Sequence, residues 1–144
     1  MYNGLVHAHS GLRWVVLILL LASVVNAATK RNPSSTYTAG DNKLYLFTLV
    51  STHIQLVLGL ILYFISPKVD FSLISEKLYR FYTVEHLTGM IIAIALITVG
   101  RARSRRAENA AAKHRSIFIF FGLGLLLILV SIPWPFRIPG AGWF

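Results

Sequence analysis

Three stretches of the chain set ionisable side chains inside apolar sequence. His7, His9 and Arg13 fall in "LVHAHSGLRWVVLILLLASVV" at 5–25, Thr52, His53 and Gln55 in "THIQLVLGLILYFISPKV" at 52–69, and Glu85 and His86 in "VEHLTGMIIAIALITVG" at 84–100. A neutral imidazole ligates transition metals and haem iron. A guanidinium donates two parallel hydrogen bonds to a carboxylate. The chain has no cysteine, which removes disulfides, thiolate metal sites, iron–sulfur clusters and covalently attached c-type haem. Histidine is left as the main candidate ligand.

The elements that must position these residues are membrane helices. Of 144 residues, 56% are hydrophobic and only 13% charged, with a positive mean hydropathy. A single domain of this size with so little polar surface points to the bilayer as its solvent. Four apolar runs, at about 6–27, 44–65, 80–100 and 116–134, each approach the ~20 residues that cross the hydrocarbon core. The apolar stretch from Leu87 to Gly100 is too short alone, so the third span must take in Phe81 to His86. The first span carries no cleavable leader pattern and is expected to be retained. Short connections predict an up-down-up-down antiparallel bundle, an all-α integral membrane protein of one domain. The spacing of Phe71, Ile74 and Leu78 predicts a short interfacial helix before the third span.

The net charge of +9 resides in the gaps between spans, which reads as topology and not as a nucleic-acid surface. Loops 28–43 and 101–115 hold Lys30, Arg31, Lys43, Arg101, Arg103, Arg105, Arg106, Lys113 and Arg115, against Lys68, Lys77, Arg80 and Arg137 on the other face. The positive-inside rule makes those two loops cytoplasmic and puts both termini on the outer, periplasmic side of a bacterial inner membrane. Trp14, Trp134, Trp143, Tyr79 and Tyr82 then gather at the outer interface as an aromatic belt. His114, among the basic residues of the third loop, reads as solvated or in contact with headgroups.

Ionisable groups within spans are costly and need a partner or a task. From a rise of ~1.5 Å per residue, Arg13, Glu85 and His86 all fall roughly 8–10 Å below the outer boundary, with His53 near mid-bilayer. Arg13 and Glu85 are expected to form an ion pair; a quinone or a haem propionate is the other reading for Arg13. Histidines on three spans facing one bundle favour haem b, with His86 one axial ligand and either His9 or His53 the other. His86, Gly89, Ala93 and Gly100 share a helix face whose small residues leave room for a flat macrocycle or for close helix packing. Thr52, Gln55, Gly59 and Tyr63 form a second stripe, bordered by His53.

With "HAHSGLRW" at 7–14, the stretches 52–69 and 84–100, and "SIPWPFRIPGAGWF" at 131–144, the chain resembles small four-span bacterial membrane proteins labelled "cytochrome B". These pieces and their apolar fillers cover nearly the whole chain. His7, His9, Arg13, Trp14, His53, Glu85 and His86 fall on the family's pattern, whereas His114 does not. The resemblance implies an inner-membrane protein and points to haem b and electron transport.

Three functions are therefore in view. The first is a membrane cytochrome or electron-transfer subunit with haem b, in contact with quinone through Arg13, Glu85, Gln55 or Tyr63. The second is a non-catalytic accessory or assembly subunit of a larger membrane complex, whose His, Arg and Glu are structural. The third is a small proton or solute transporter. The first two require other membrane subunits as partners.

Overall fold

A computed structural model describes residues 1–144. It is all-helical, with no strand, and four of its helical stretches are long and apolar enough to cross a membrane. They are α1 (Tyr2–Thr29), α2 (Ala39–Ile65), the stretch Lys77–Arg106 and α5 (Ala110–Ser131). Lys77–Arg106 is built from a short α3 (Lys77–Arg80), a wide π turn over Phe81–Glu85, and α4 (His86–Arg106). The interfacial helix expected from Phe71, Ile74 and Leu78 is broken into a 3₁₀ turn at Phe71–Leu73 and α3. Asp70 caps that turn, and hydrogen bonds from the Ser72 hydroxyl and backbone N–H hold its carboxyl below the usual range.

Local chemistry sets the helix ends. Thr38 and Asp41 form a reciprocal capping box at the start of α2: Asp41 N–H donates to the Thr38 hydroxyl at 3.1 Å and Thr38 N–H to Asp41 Oδ2 at 2.9 Å. Asn109 Oδ1 accepts from Ala112 N–H at 2.9 Å and opens α5. Pro67 follows the last turn of α2, and Pro133 and Pro135 prevent α5 from continuing.

Neighbouring helices run antiparallel around a ring α1–α2–α4–α5, so α1 faces α4 across the bundle. Cross-links at the helix ends define the direction. Tyr2 Oη and Ser66 Oγ are 3.1 Å apart, joining the start of α1 to the end of α2, and His86 Nδ1 meets the Ser131 carbonyl at the start of α4 and the end of α5. At the opposite end, Arg101 of α4 donates to Tyr37 Oη and to Asn42 Oδ1 of α2. That end holds the Arg101–Arg106 cluster and is here called the basic end; the other is the site end.

Polarity is arranged for lipid. Ile18, Phe47, Val57 and Leu126 face outward, while Ser23, Thr48, Ser51 and Thr52 are buried. Ser23 and Thr48 share a 2.8 Å hydrogen bond between α1 and α2, while the Thr48 and Ser51 hydroxyls donate to the Leu44 and Thr48 carbonyls. The apolar centre is Val16, Leu20, Tyr45, Ala93, Ile97, Ile117 and Phe121. Gly124 lies against Ile97, and an added Cβ would stand 2.7 Å from its side chain, so α4 and α5 pack most closely of all pairs.

Candidate functional site

A cavity of about 390 Å³ opens at the site end, between α1, α2 and the start of α4. His9, Arg13, Gln55, Tyr63, Tyr82 and His86 supply its polar wall, and Val16, Leu56, Met90, Ile94 and Ile128 its apolar floor. The tail contributes Gly140, Ala141, Gly142 and Phe144.

His9 and His86 meet across this cavity although their helices are not neighbours in the ring. Their ring centres are 6.4 Å apart and their planes cross at 79°. His86 Nδ1 lies 2.7 Å from the Ser131 carbonyl, and because a carbonyl can only accept, Nδ1 carries the proton and Nε2 keeps its lone pair. Orientation of one ring nitrogen by a carbonyl is the usual preparation of a metal-ligating imidazole. His9 rests on Gly59, where an added Cβ would come within 3.1 Å of Cε1. Gln55 Nε2 donates to the His9 carbonyl at 2.8 Å and holds that turn of α1 to α2. Tyr63 Oη donates to the Thr83 carbonyl at 3.0 Å, and the Thr83 hydroxyl accepts from Asp70 N–H, so the π turn is tied to α2 and to the loop behind it.

Two imidazoles that share a metal ion at about 2 Å each bring their ring centres to roughly 6 Å. The 6.4 Å spacing of His9 and His86 is of the size that would admit one ion between them. No group of three or more His, Cys, Asp or Glu side chains that could hold a metal ion occurs in the chain. Three of the five buried polar atoms that lack a partner, His9 Nδ1, Arg13 Nε and Gln55 Oε1, belong to residues lining the cavity. Unpartnered buried polar atoms are rare enough that three in one wall suggest a polar guest.

Several expectations change. Arg13 and Glu85 do not pair. Glu85 accepts from Arg80 Nε at 2.9 Å, and Arg13 Nη2 donates to the Trp143 carbonyl at 2.5 Å. The π turn is the physical cause. Residues five apart diverge by about 140° on an α-helix but fall nearly in line on a π turn, which aims Glu85 back at Arg80 and out of the bundle. Gly89 does not face the cavity either. An added Cβ there would collide with Ser131 Oγ, so the small face of α4 serves helix packing. His53 points to the outside of the bundle, its Nε2 3.0 Å from Thr98 Oγ1. The Thr98 hydroxyl already donates to the Ile94 carbonyl, so His53 donates through Nε2. It does not line the cavity, and neither does the exposed His7.

His114 departs most from its sequence reading. Its side chain is 0% exposed, with Nε2 2.9 Å from the Thr36 carbonyl, Nδ1 2.7 Å from Tyr45 Oη, and Asp41 Oδ2 3.7 Å away. Asp41 in turn accepts from Lys30 and Asn26. This network knots α1, the first loop, α2 and α5 together at the basic end. The Thr36 carbonyl accepts from Nε2–H, and Nδ1 and Tyr45 Oη share the second hydrogen bond. A histidine in "AAAKHRS" gives no local sign of burial; the long-range partner Tyr45 does, through a connection of 69 residues.

Three of the five aromatic residues expected in a belt, Trp14, Trp134 and Trp143, cluster at the site end. Trp14 lies 6.2 Å from Trp134 and 6.5 Å from Trp143, ring centre to ring centre. Sequence reasoning did not single out Tyr82, Ser131 or the Trp143 carbonyl as site groups, because each acts through a tertiary contact. Comparison with family models, curated proteins and solved structures returned no match.

Proposed function

We propose that the chain is a haem-b-binding membrane subunit that carries electrons, and that His9 and His86 are the residues that would hold the haem. The observation that supports this reading is the 6.4 Å, crossed-plane arrangement of two imidazoles from opposite helices around one cavity. Bound haem b would supply a one-electron couple. The chain's own residues do the rest: Ser131 orients His86, Gly59 leaves room for His9, and apolar side chains form the floor of the pocket. Gln55 and Tyr63 place hydrogen-bonding groups in the same wall, where a membrane quinol could deliver electrons. An electron accepted here must leave to another carrier, so a partner membrane subunit completes the path.

The positive-inside rule supports a cytoplasmic basic end, with the site end and both termini at the outer face of a bacterial inner membrane. An accessory or assembly subunit without haem is the second reading. It is favoured by the partners that His86, Arg13, Gln55 and Tyr63 already find within the chain. Transport is the weakest, because Val16, Leu20, Ile97 and Phe121 fill the bundle between the cavity and the basic end.

The deciding experiment is a reduced-minus-oxidised absorption spectrum of the purified protein. A sharp b-type alpha band that is lost in both His9→Ala and His86→Ala supports the assignment. A colourless, correctly folded preparation reconstituted with haem without change would overturn it.

A further inference from the structure

Arg13 is a cation without an acid. Its side chain is only 8% exposed, and the ion pairs of the chain, Lys30–Asp41 and Arg80–Glu85, do not include it. A guanidinium stays charged in proteins, and a buried charge with no counter-charge is strongly disfavoured. Its protein partners are one backbone oxygen and two indole rings: Nη2 donates to the Trp143 carbonyl, and Trp14 and Trp134 lie 5.5 and 5.9 Å from Cζ. Nε is buried and bonded to nothing.

The position of this unmet donor matters. Arg13 lines the same cavity as His9 and His86, one helical turn beyond His9 on the same face of α1. Trp14 Nε1 donates to the same Trp143 oxygen at 3.0 Å, so two N–H donors already converge on one oxygen atom there. An oxygen-binding cradle beside an uncompensated positive charge matches a carboxylate. In the chain alone the Trp143 carbonyl takes that place, and none of the five acidic side chains pairs with Arg13: Asp41 and Glu85 have basic partners, Asp70 accepts from Ser72, and Glu76 and Glu108 stand in the loops.

We propose that Arg13 anchors a carboxylate carried by the ligand of this cavity. The inference rests on the haem reading, and on that reading the carboxylate is a propionate. Arg13 then does two things. It holds the macrocycle in one rotational setting, and its charge favours the ligand with its propionate ionised. The tail lines the same cavity through Gly140, Ala141, Gly142 and Phe144, and its Trp143 carbonyl accepts from the same guanidinium.

The test uses full-length protein freed of haem, in phosphatidylcholine nanodiscs, titrated with haem b and with its dimethyl ester. Wild type should bind the free acid about tenfold to a hundredfold more tightly than the ester, the range expected of a charge-assisted hydrogen bond. Arg13→Gln should bind the two alike, near the ester's affinity, and Arg13→Lys should recover part of the preference. Arg80→Gln, a change at an exposed pair, should keep the full preference. The bis-imidazole spectrum should persist in Arg13→Gln while the midpoint potential falls. Equal binding of acid and ester by wild type overturns the proposal and leaves the haem reading standing; that arm needs no variant to fold. Displacement of bound haem by oleate would also overturn it, assigning the cradle to a lipid carboxylate. Failure of either porphyrin to bind, or binding that survives loss of both His9 and His86, overturns the haem reading itself.

Discussion

The imidazole of His9 lies against the bare α-carbon of Gly59, so close that a Cβ there would stand 3.1 Å from Cε1. α1 and α2 therefore meet at the site end through a ring on a glycine, and the ring's tilt toward His86 depends on that missing side chain. Gly59→Ala should shift His9 by a few tenths of an ångström and shift the midpoint potential with the haem still bound. Gly59→Leu should push the ring aside and abolish the b-type band. Helicity by circular dichroism should stay near wild type in both, since each residue is a better helix former than glycine.

Gly89 controls His86 in a less direct way. An added Cβ would meet the Ser131 hydroxyl, and Ser131 also carries the carbonyl that orients His86. Gly89→Val should part α4 from α5 at this level and weaken haem retention, although residue 89 does not line the cavity. Gly122→Val is the control, because an added Cβ there has nothing within 4 Å. Haem retention during washing of the immobilised protein reads the difference.

The charge pairs can be separated by double-mutant cycles. Arg80 and Glu85 are each nearly half exposed, so their coupling should be about 0.2–1 kcal/mol in unfolding experiments. Arg13 and Glu85 have no contact, and the effects of Arg13→Gln and Glu85→Gln should add. Coupling between Arg13 and Glu85 above that of Arg80 with Glu85 would contradict the π-turn geometry.

His114→Ala removes two hydrogen bonds from a fully buried site, leaving the Thr36 carbonyl without its partner and the Tyr45 hydroxyl with Asn26 alone. A stranded group costs about 1–3 kcal/mol, so thermal unfolding in detergent should occur at a clearly lower temperature. The haem spectrum of the surviving folded fraction should match wild type, because the network lies at the opposite end of the bundle from His9 and His86.

Topology is open to direct measurement because the chain has no native cysteine. Ser75→Cys should react with an impermeant maleimide on intact cells once the outer membrane is made permeable. Ser35→Cys and Glu108→Cys should react only after the inner membrane is opened. The reverse pattern would invert the proposed orientation.

The sequence by itself determined the class of molecule. Four runs of the right length, a charge bias between their gaps and the absence of cysteine follow from counting along the chain, and the free energy of transfer into lipid depends chiefly on such sums. The stripe of Thr52, Gln55, Gly59 and Tyr63 was also legible, since helical period alone puts these residues on one face, and all four line the cavity. Which ionisable groups meet was decided only in three dimensions. Depth estimates placed Arg13 level with Glu85, but level is not direction, and the π turn over Phe81–Glu85 rotates Glu85 away while His86 turns inward to Ser131. His53 and His9 were equal candidates to accompany His86 until helix rotation put one outside the bundle and the other on Gly59. His114 seemed solvated because its neighbours in sequence are basic, whereas its environment is made by Tyr45 and Thr36 from distant parts of the chain. Hydropathy is additive along the chain and can be read from it. The facing of a polar side chain depends on the phase of its helix and on what packs against it, and those quantities exist only in the folded bundle.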